Sequence, residues 1–422
     1  MSDIRFEGWL HRSGTGGVYQ DSAGNVGIAS TQPQQKLDIG NGGFQVGPTG
    51  IATVTTVNTT NLINATQLSH RNIVINGAMM VAQRGTSSTV ADGFGALDRF
   101  RSNNAGNDEV PTQSQVDVAS GTTPYTSGFR KAFRMTNGNQ TGGASADARS
   151  CILYNIEAQD IVNSGWNYTS ATNYITIQFW VKASVAQNYY VLLRTRDGTE
   201  QGYTFETGSL TADTWTKITK TIPGNSNITF NNDTGIGLAL EWNIFRGTNK
   251  TGSMTLNQWA AFNSAVRVPD MTSTWYTTND ATFEITGVQL EVGSVATPFE
   301  HRSFGDEMAR CKRYYNKVFD AEGQSGEKPA SLAVYETSSA VTTIFNFPKM
   351  RNVPTLDITN GTNKFMVRSN SVSDHFDTLT LRYGTSQSAE ITQSSGVSGT
   401  AGYGGYLRGA DTDVYIAFSA EL

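Results

Sequence analysis

The sequence predicts an all-β protein built from several domains of short strands. It is rich in turn formers, with 43 glycines among 422 residues, and only 16% of its residues are charged. Apolar and polar residues alternate over 175–181 and 236–244, which is the pattern of half-buried strands. Pairs such as Asp197-Gly198 mark tight turns between such stretches. Many short strands joined by tight turns predict β-sandwiches of the jelly-roll type.

The length of 422 residues exceeds that of one compact domain, and shifts in pattern indicate four parts. Apolar residues make up only 37%, so the thinner parts are expected to bury surface against other copies of the chain. The predicted fold is all-β: a trimeric fibre with an N-terminal intertwined β segment or shaft, a jelly-roll β-sandwich, one short hinge helix and a second, smaller C-terminal β-sandwich. The predicted boundaries are 1–50 for the N-terminal segment, 51–70 for the shaft or linker, 71–300 for the jelly roll, and 301–422 for the helix with the second sandwich.

The N-terminal segment, 1–50, contains no stretch long enough to form a core of its own. Short alternating pieces at 26–28, 37–39 and 44–46 are separated by Gly, Asn or Pro. Strands this short are marginal alone, so we expect them to be stabilised where several chains wind or stack together.

The next part, 51–70, has an unusual apolar spacing. Ile51, Val54 and Val57 recur every three residues, which fits neither a strand nor a helix well. We interpret this part as an intertwined shaft in which each chain places apolar residues on a common axis in turn. The alternative is a solvated, Thr-rich linker.

The junction of the two larger domains is predicted within 282–315. The alternation changes phase at Gly287, and a glycine at such a slip is typical of a β-bulge, so one bent strand is expected there. Ser303 followed three residues later by Asp306 has the capping-box spacing of a helix start, and Cys311 falls on the apolar face of that helix. A strand therefore closes one domain and a hinge helix opens the next.

The last stretch, 413–422, alternates strictly. It should be a central or near-central strand of the second sandwich, because an apolar face of this size needs cover. The residues of that face are Val414, Ile416, Phe418, Ala420 and Leu422.

Four stretches of the sequence resemble a family of phage and prophage tail-fibre proteins. The longest is GVQLEVGSVATPFEHRSFGDEMARCKRYY at 287–315, which is similar to the family's domain junction over nearly its whole length. The others are RNIVINGAMMVAQRGTS with LDRF shortly after it, NIEAQDI to ITIQFWVKAS at 155–184, and the terminal FSAEL. The resemblance spans 71–422. It implies a jelly roll similar to carbohydrate-binding modules, a receptor-binding sandwich, and a virion location with the N-terminus on a tail or baseplate protein.

Three aromatic residues near the N-terminus are candidates for that attachment. Phe6, Trp9 and Tyr19 lie in an otherwise polar segment and need a partner surface to cover them. The partner is either another copy of the chain, in the expected homotrimer, or a different virion protein.

Charge and hydropathy exclude several classes of partner. The formal net charge is −5 and Lys and Arg form no long cluster, which argues against nucleic-acid binding and against a polybasic membrane anchor. No apolar run is long enough for membrane insertion, and the first ten residues do not resemble a signal peptide, so synthesis in the host cytoplasm is expected. Attraction to an anionic cell envelope must then come from local contacts. Cys151 and Cys311 are predicted to be buried thiols rather than a disulfide.

Catalytic motifs are absent from the sequence. The four histidines are scattered, and neither a zinc-type spacing nor G-x-S-x-G occurs, so we predict no enzyme, no metal and no cofactor. A glycosidase needs only two carboxylates at the right distance, and Asp374 with Asp377 or Asp411 with Asp413 are the least implausible pairs. Aspartates in loops are, however, ordinary turn formers.

Aromatic residues in polar, turn-rich stretches are the feature that glycan binding requires, because a ring packs on the C–H face of a sugar. PDMTSTWYTTND carries Trp275 and Tyr276, and SGTAGYGGYLRGAD carries Tyr403, Tyr406 and Arg408. The second stretch is the preferred receptor loop, since its glycines are expected to make it mobile. The alternative is that these rings pack at a subunit interface or cap a sandwich edge.

The sequence therefore predicts a phage tail-fibre subunit that binds host cell-surface polysaccharide without covalent chemistry. Two other functions remain open. One is a structural collar or whisker fibre that binds no receptor, and the other is a polysaccharide depolymerase.

Overall fold

The structure is a computed structural model. It describes residues 8–10, 17–24, 26–28, 37–39, 44–46, 52–54, 70–321, 323 and 327–422. They belong to two compact units, Met1–Ala65 and Thr66–Leu422. No helix among the described residues is long and apolar enough to cross a membrane.

The first unit contains one six-stranded sheet, in which each strand pairs with the next along the chain. The strands are β1 Gly8–Leu10, β2 Gly17–Gln20, β3 Val26–Ile28, β4 Leu37–Ile39, β5 Phe44–Val46 and β6 Ala52–Val54. Neighbours are antiparallel except β3 and β4, which are parallel. The three predicted strands at 26, 37 and 44 are confirmed. Of the predicted shaft, residues 55–69 lie outside the described residues.

The second unit begins with a jelly-roll β-sandwich. Its short helical elements are α1 Thr123–Thr126, α2 Ala158–Val162, α3 Thr274–Thr277 and a 3-10 turn at Thr248–Lys250. Its strands are β7 Ser87–Ser88, β8 Asp92–Gly93, β9 Phe100–Ala105, β10 Thr112–Asp117, β11 Lys131–Thr136, β12 Arg149–Glu157, β13 Tyr174–Ala183, β14 Asn188–Thr195, β15 Gln201–Ser209, β16 Thr216–Pro223, β17 Ile236–Arg246, β18 Trp259–Ala261 and β19 Thr282–Val292.

These strands form two antiparallel sheets. One has the order β16-β13-β19-β11-β10-β7 and the other β18-β15-β14-β17-β12-β9-β8. The core lies between them, and the apolar phases predicted for 175–181 and 236–244 face it. Phe179 of the first sheet meets Trp242 of the second edge to face, with ring centroids 5.7 Å apart. The predicted all-β sandwich is thereby confirmed.

The predicted β-bulge at Gly287 is also confirmed. Strand β19 is continuous, but its pairing with β13 slips: Gln289 lies opposite Gln178, whereas Thr286 lies opposite Trp180. Gly287 has φ +63°, and a Cβ there would lie 2.6 Å from the ring of Phe129. Only glycine fits both constraints, so the bend of the strand is fixed at this residue.

The second sandwich follows helix α4, Phe304–Cys311. Its strands are β20 Tyr315–Asp320, β21 Lys328–Thr337, β22 Ala340–Asn346, β23 Thr355–Ile358, β24 Phe365–Ser369, β25 Val372–Phe376, β26 Thr380–Gly384, β27 Ser388–Gln393, β28 Gly404–Gly409 and β29 Tyr415–Ser419. They form a three-stranded sheet, β20-β29-β23, and a seven-stranded sheet, β25-β24-β28-β21-β22-β27-β26. The last strand is central in its sheet, as predicted, and Ile416 and Phe418 are fully buried.

Helix α4 begins where the sequence predicts it. The Ser303 hydroxyl accepts a hydrogen bond from the backbone N–H of Asp306, which satisfies a free donor of the first turn. A Glu307 carboxylate oxygen accepts the backbone N–H of Asn76, and just past the helix Arg313 forms a two-bond contact with Glu157, each bond 2.8 Å long. These contacts fix the connector against the jelly roll.

Both cysteines are free and buried, which confirms that prediction. Burial raises the pKa of the Cys151 thiol and raises that of Cys311 well above its usual value. Thiols of this kind stay protonated and pack as small apolar groups.

Candidate functional site

The structure contradicts the prediction that Trp275 and Tyr276 bind glycan. Both lie on α3 with no exposed surface, inside the jelly-roll core. The Trp275 indole N–H donates to the carbonyl of Thr282 at 3.1 Å, and the Tyr276 hydroxyl donates to the carbonyl of Gly106 at 2.8 Å. A ring without an exposed face cannot stack on a sugar, so this pair is a core anchor.

Two of the three predicted virion-attachment residues lie on described strands of the first unit. Phe6 lies outside the described residues. Trp9 lies on β1 opposite Val18, and Tyr19 lies on β2. Their role in attachment stays a prediction.

Tyr403 and Tyr406 are exposed by 51% and 53%, so both rings are accessible to a partner. The expectation of a mobile loop is wrong for Tyr406 and Arg408, because both lie on strand β28, between β24 and β21. Gly405 packs inward, where a Cβ would lie 2.8 Å from Val367. The glycine at this position allows close packing against Val367 and does not make the segment flexible.

The outward surface around Tyr406 is apolar, and we call it the tip face. Tyr406 lies directly opposite Leu332 on β21, and Tyr383 on β26 lies opposite Glu390 on β27. Leu332 is 71% exposed although it is a central-strand residue. The exposed apolar members of the face are Leu332, Val334, Ile344, Tyr383 and Tyr406. Such a face suits either sugar stacking or a protein neighbour, so both alternatives stay open.

Arg408 is held beside this face by an ion pair. Its Nη1 lies 2.7 Å from a carboxylate oxygen of Glu327, and both side chains are partly exposed. Its guanidinium carbon lies 5.8 Å from the Tyr406 ring centroid. Arg408 therefore retains donors that a ligand on Tyr406 could reach.

The candidate carboxylate pairs have local structural partners. Asp374 accepts hydrogen bonds from the Tyr335 hydroxyl and the Ser398 backbone, at 3.2 and 2.6 Å. Asp411 and Asp413 both bind the ammonium of Lys364, at 2.8 and 2.7 Å.

The fourth carboxylate, Asp377, accepts the backbone N–H of Asn363 at 2.9 Å. The hydrogen bond from Lys364 lowers the pKa of Asp411. A glycosidase acid needs the opposite shift, so Asp411 is poorly suited to that role.

A surface that the sequence analysis missed lies on the outer face of the jelly roll's seven-stranded sheet. A depression of about 350 Å³ crosses β9, β12, β17 and β14, and we call it the arginine groove. Its cationic side chains are Arg101, Arg149, Arg194, Arg196, Arg246, Lys250 and Arg267.

The floor of the arginine groove is polar and buried. Glu241, Asn243 and Arg246 project from β17 away from the core, yet each is almost fully buried. A Glu241 carboxylate oxygen accepts Arg246 Nη2 at 2.8 Å and lies 3.5 Å from Nη1 of Arg267. Arg246 Nε donates to the Asn243 side chain. One carboxylate thus serves two arginines.

The groove carries more positive than negative charge. Asp92 pairs with Arg101, and Glu200 pairs with Arg194 and with Arg196. With Glu241, three carboxylates therefore stand against seven cations, an excess of four. Among the residues that the structure describes, no carboxylate forms an ion pair with the two remaining cations, Arg149 and Lys250.

Strand register places two of these cations opposite each other, and burial leaves some of their donors without a described partner. Arg149 on β12 lies directly opposite Arg246 on β17, and like charges so placed repel. The Nε atoms of Arg101 and Arg267 are buried and have no hydrogen-bond partner within the described ranges. Burial lowers the pKa of Arg267, which Glu241 only partly opposes. The groove thus holds donors and charge that an anionic acceptor would satisfy.

The groove continues into an apolar depression of about 250 Å³, and Arg267 lines both parts. The second part is lined by Leu192, Met254 and Phe262 among others. The guanidinium carbon of Arg194 lies 3.7 Å from the centroid of Phe262, close enough for a cation–π contact. A cationic end and an aromatic end therefore adjoin on one sheet.

Sequence reasoning missed the groove because each strand or loop supplies only one or two of its cations. The available signal was the set of cationic residues at strand positions that alternate with the buried apolar ones. Arg194 alternates with core-facing Val191 and Leu193, and Arg149 precedes the core-facing run of β12. Collecting outward cations from all predicted strands would have found the candidates, but their meeting on one sheet depends on strand order.

No protein-family model matches the sequence, and no curated protein matches it significantly. Matching solved structures include a phage tailspike domain and several carbohydrate-binding modules. The enzymatically active domain of tailspike protein 4 from bacteriophage CBA120 is 9% identical with TM-score 0.27, over 53% of this chain and only 21% of that one.

A family 16 carbohydrate-binding module, module 2, is 14% identical with TM-score 0.22, over 42% of this chain and 84% of that one. The N-terminal cellulose-binding domain of β-1,4-glucanase C from Cellulomonas fimi is 10% identical with TM-score 0.25, over 51% and 99%. TM-scores this low are no evidence of a shared site, so the function is inferred from the chain's own residues.

Proposed function

We propose that the chain is a phage tail-fibre subunit that binds host cell-surface glycan non-catalytically through its β-sandwiches. The arginine groove is the observation that carries the glycan-binding part. The tail-fibre part is supported by the resemblance of the four stretches within 71–422. In this proposal the N-terminal segment attaches a homotrimer to the virion, and the second unit faces the host.

The groove has the two features that sugar recognition needs. Planar guanidinium donors such as that of Arg149 suit hydroxyl or carboxylate oxygens, and the adjoining depression lined by Leu192, Met254 and Phe262 suits the apolar face of a sugar. Single protein–sugar contacts of this kind are weak. Three copies per fibre would convert weak contacts into lasting attachment through effective concentration.

The tip face is the second glycan-binding surface in this proposal. Tyr406 presents an exposed ring with Arg408 beside it, and Tyr403, which precedes strand β28, is exposed as well. Because Tyr406 is on a paired strand, its backbone is held in place before a ligand arrives. Preorganisation of this kind reduces the entropy lost on binding.

The test is binding of the purified intact protein to a panel of bacterial capsular and O-antigen polysaccharides, scored both for retained protein and for released reducing ends. We expect saturable retention without release. Replacing Tyr403 and Tyr406 together with Ala should weaken retention about tenfold, because each stacked ring is worth roughly 0.5–1.5 kcal/mol. Val295→Ala, at an exposed apolar residue just after strand β19, is the matched control.

The other outcomes separate the alternatives. Release of reducing ends would identify a depolymerase. Neither retention nor release across the panel would favour a collar or whisker fibre. Retention that survives the double tyrosine substitution but not changes in the groove would place the glycan on the jelly roll alone.

A further inference from the structure

The arginine groove holds seven cations, and three carboxylates form ion pairs with them. We propose that it binds an anionic saccharide, with the carboxylate or phosphate of the sugar at Arg149 and Lys250 and the apolar face of the sugar toward Phe262. This rests on the proposed function and adds the chemical class of the ligand.

Charge is the first argument. The chain as a whole carries −5, yet the groove has four positive charges more than the carboxylates paired with them. A neutral sugar would leave that excess, and the repulsion between Arg149 and Arg246, in place. An anion bound at Arg149 would offset part of this repulsion.

Available donors are the second argument. Glu241 already occupies Arg246 Nη2 and approaches Arg267, so an incoming anion meets Arg149 and Lys250, which form no ion pair with the described carboxylates, although Arg149 helps to lower the pKa of Asp92. The side chain of Arg149 is oriented by a bond from its Nε to Asn103, which leaves its terminal nitrogens for a ligand. Planar guanidinium groups bind carboxylate and phosphate with two parallel bonds.

The adjoining apolar depression gives the ligand a direction. Arg267 stands between the two parts, and Phe262 beyond it is flanked by Leu192 and Met254. A purely inorganic anion would make no use of these side chains. A saccharide places a charged substituent and an apolar ring face or acyl group on one molecule, which matches both ends.

Nucleic acid is the competing class of polyanion, and the structure disfavours it. Tight binding of nucleic acid requires neutralising many phosphates along an extended track. The cations here are confined to one depression, in a chain whose net charge is −5. A short oligonucleotide is therefore a useful negative probe.

The experiment measures binding of the intact protein to oligogalacturonate, oligosialate and a phosphorylated oligomannose. Each is paired with its neutral counterpart, carboxyl-reduced for the first two and dephosphorylated for the third. We expect at least one acidic form to bind about tenfold or more tightly than its neutral partner. Affinity for the acidic form should fall as salt is added, because the charges are partly exposed. The carboxylated and phosphorylated arms identify which anion is preferred.

The matching variant is the double substitution Arg149→Gln with Lys250→Gln. Neither residue holds Glu241, so the fold should be kept, which a thermal melt verifies. This variant should lose the preference for the acidic form and bind both members of a pair equally. Lys217→Gln, on the exposed side of edge strand β16 in the opposite sheet, removes a like charge and should change nothing.

Each remaining outcome decides against the inference. Equal binding of acidic and neutral forms by the unaltered protein would leave glycan binding intact and overturn the anionic class. An unchanged preference in the double variant would move the anion away from the groove. Tighter binding of the oligonucleotide than of any sugar would replace saccharide with nucleic acid. Binding of no saccharide at all would overturn the proposed function together with the inference.

Discussion

Two seven-stranded sheets in the second unit present their outer faces in opposite ways. On the jelly roll, the arginine groove has a sunken floor of buried polar residues such as Glu241 and Asn243. On the second sandwich, the tip face is a raised apolar surface with Leu332 and Tyr406 open to solvent. Two sheets with the same number of strands thus present one surface of fixed charge and one of exposed apolar side chains.

The comparison teaches that the two surfaces depend on the fold to different degrees. In the groove, the ion pairs that shape the floor are desolvated, so disturbing one partner leaves a buried charge uncompensated. On the tip face, the exposed side chains make few obligatory contacts, so altering them should affect binding and leave the fold intact.

The largest expected effect is the loss of stability when a buried carboxylate is neutralised, compared with the loss when an exposed one is. Glu241→Gln should lower the free energy of unfolding by about 3–5 kcal/mol, because Arg246 keeps its charge while buried. Glu336→Gln, which breaks the exposed pair with Arg382 on the second sandwich, should leave stability unchanged. Urea unfolding of both variants checks this. Similar losses in the two would show that the groove floor is less desolvated than the structure indicates.

A smaller effect tests whether the tip face is a rigid sheet. Gly405→Ala should cost about 1–3 kcal/mol, since the new Cβ would lie 2.8 Å from Val367 and 2.9 Å from the carbonyl of Arg368. Gly404→Ala points outward, with the nearest heavy atom 3.9 Å away, and should be close to neutral. Thermal melts of the two neighbours give the answer. Equal tolerance would restore the mobile loop expected from sequence.

The smallest effect arises at Asp98, which links the jelly roll to the second sandwich through Gln83. Burial raises the pKa of Asp98 to about 6, and Glu421 adds to this while Gln83 and Arg84 oppose it. The native state therefore binds the proton more tightly than the unfolded state. Stability from this group is present at low pH and is lost as pH rises from about 4 to about 6.

Between pH 5 and pH 7 this amounts to about 1 kcal/mol. Unfolding of the unaltered protein and of Asp98→Asn at the two pH values measures it, and the variant should lack this part of the slope. If the two proteins show the same pH dependence, another group accounts for it.

The sequence predicts the regular elements of this fold well because their physics is local. Alternation at 175–181 and 236–244 marks strands, the slip at Gly287 marks the bulge, and Ser303 with Asp306 marks the helix start. Each of these signals lies within a few residues of the structure that it determines.

Surface placement is predicted less well, because it depends on packing between distant parts. The polar neighbours of Trp275 and Tyr276 suggest an exposed turn, yet both rings fill the core. Strand β28 lacks the usual alternation of apolar and polar residues, because glycines, Gly405 and Gly409, occupy two of its inward positions. Phe319 and Val367 occupy the space that inward side chains would need.

The cations of the arginine groove differ in how strongly the fold depends on them. Arg246 and Glu241 are bound to each other under the surface, so the loss of either one destabilises the fold. Arg149 and Lys250 form no such ion pair, so substitutions there should leave the fold intact. If the groove binds a saccharide as proposed, exchanges at those two positions would change which anion is accepted while the buried pair beneath stays the same.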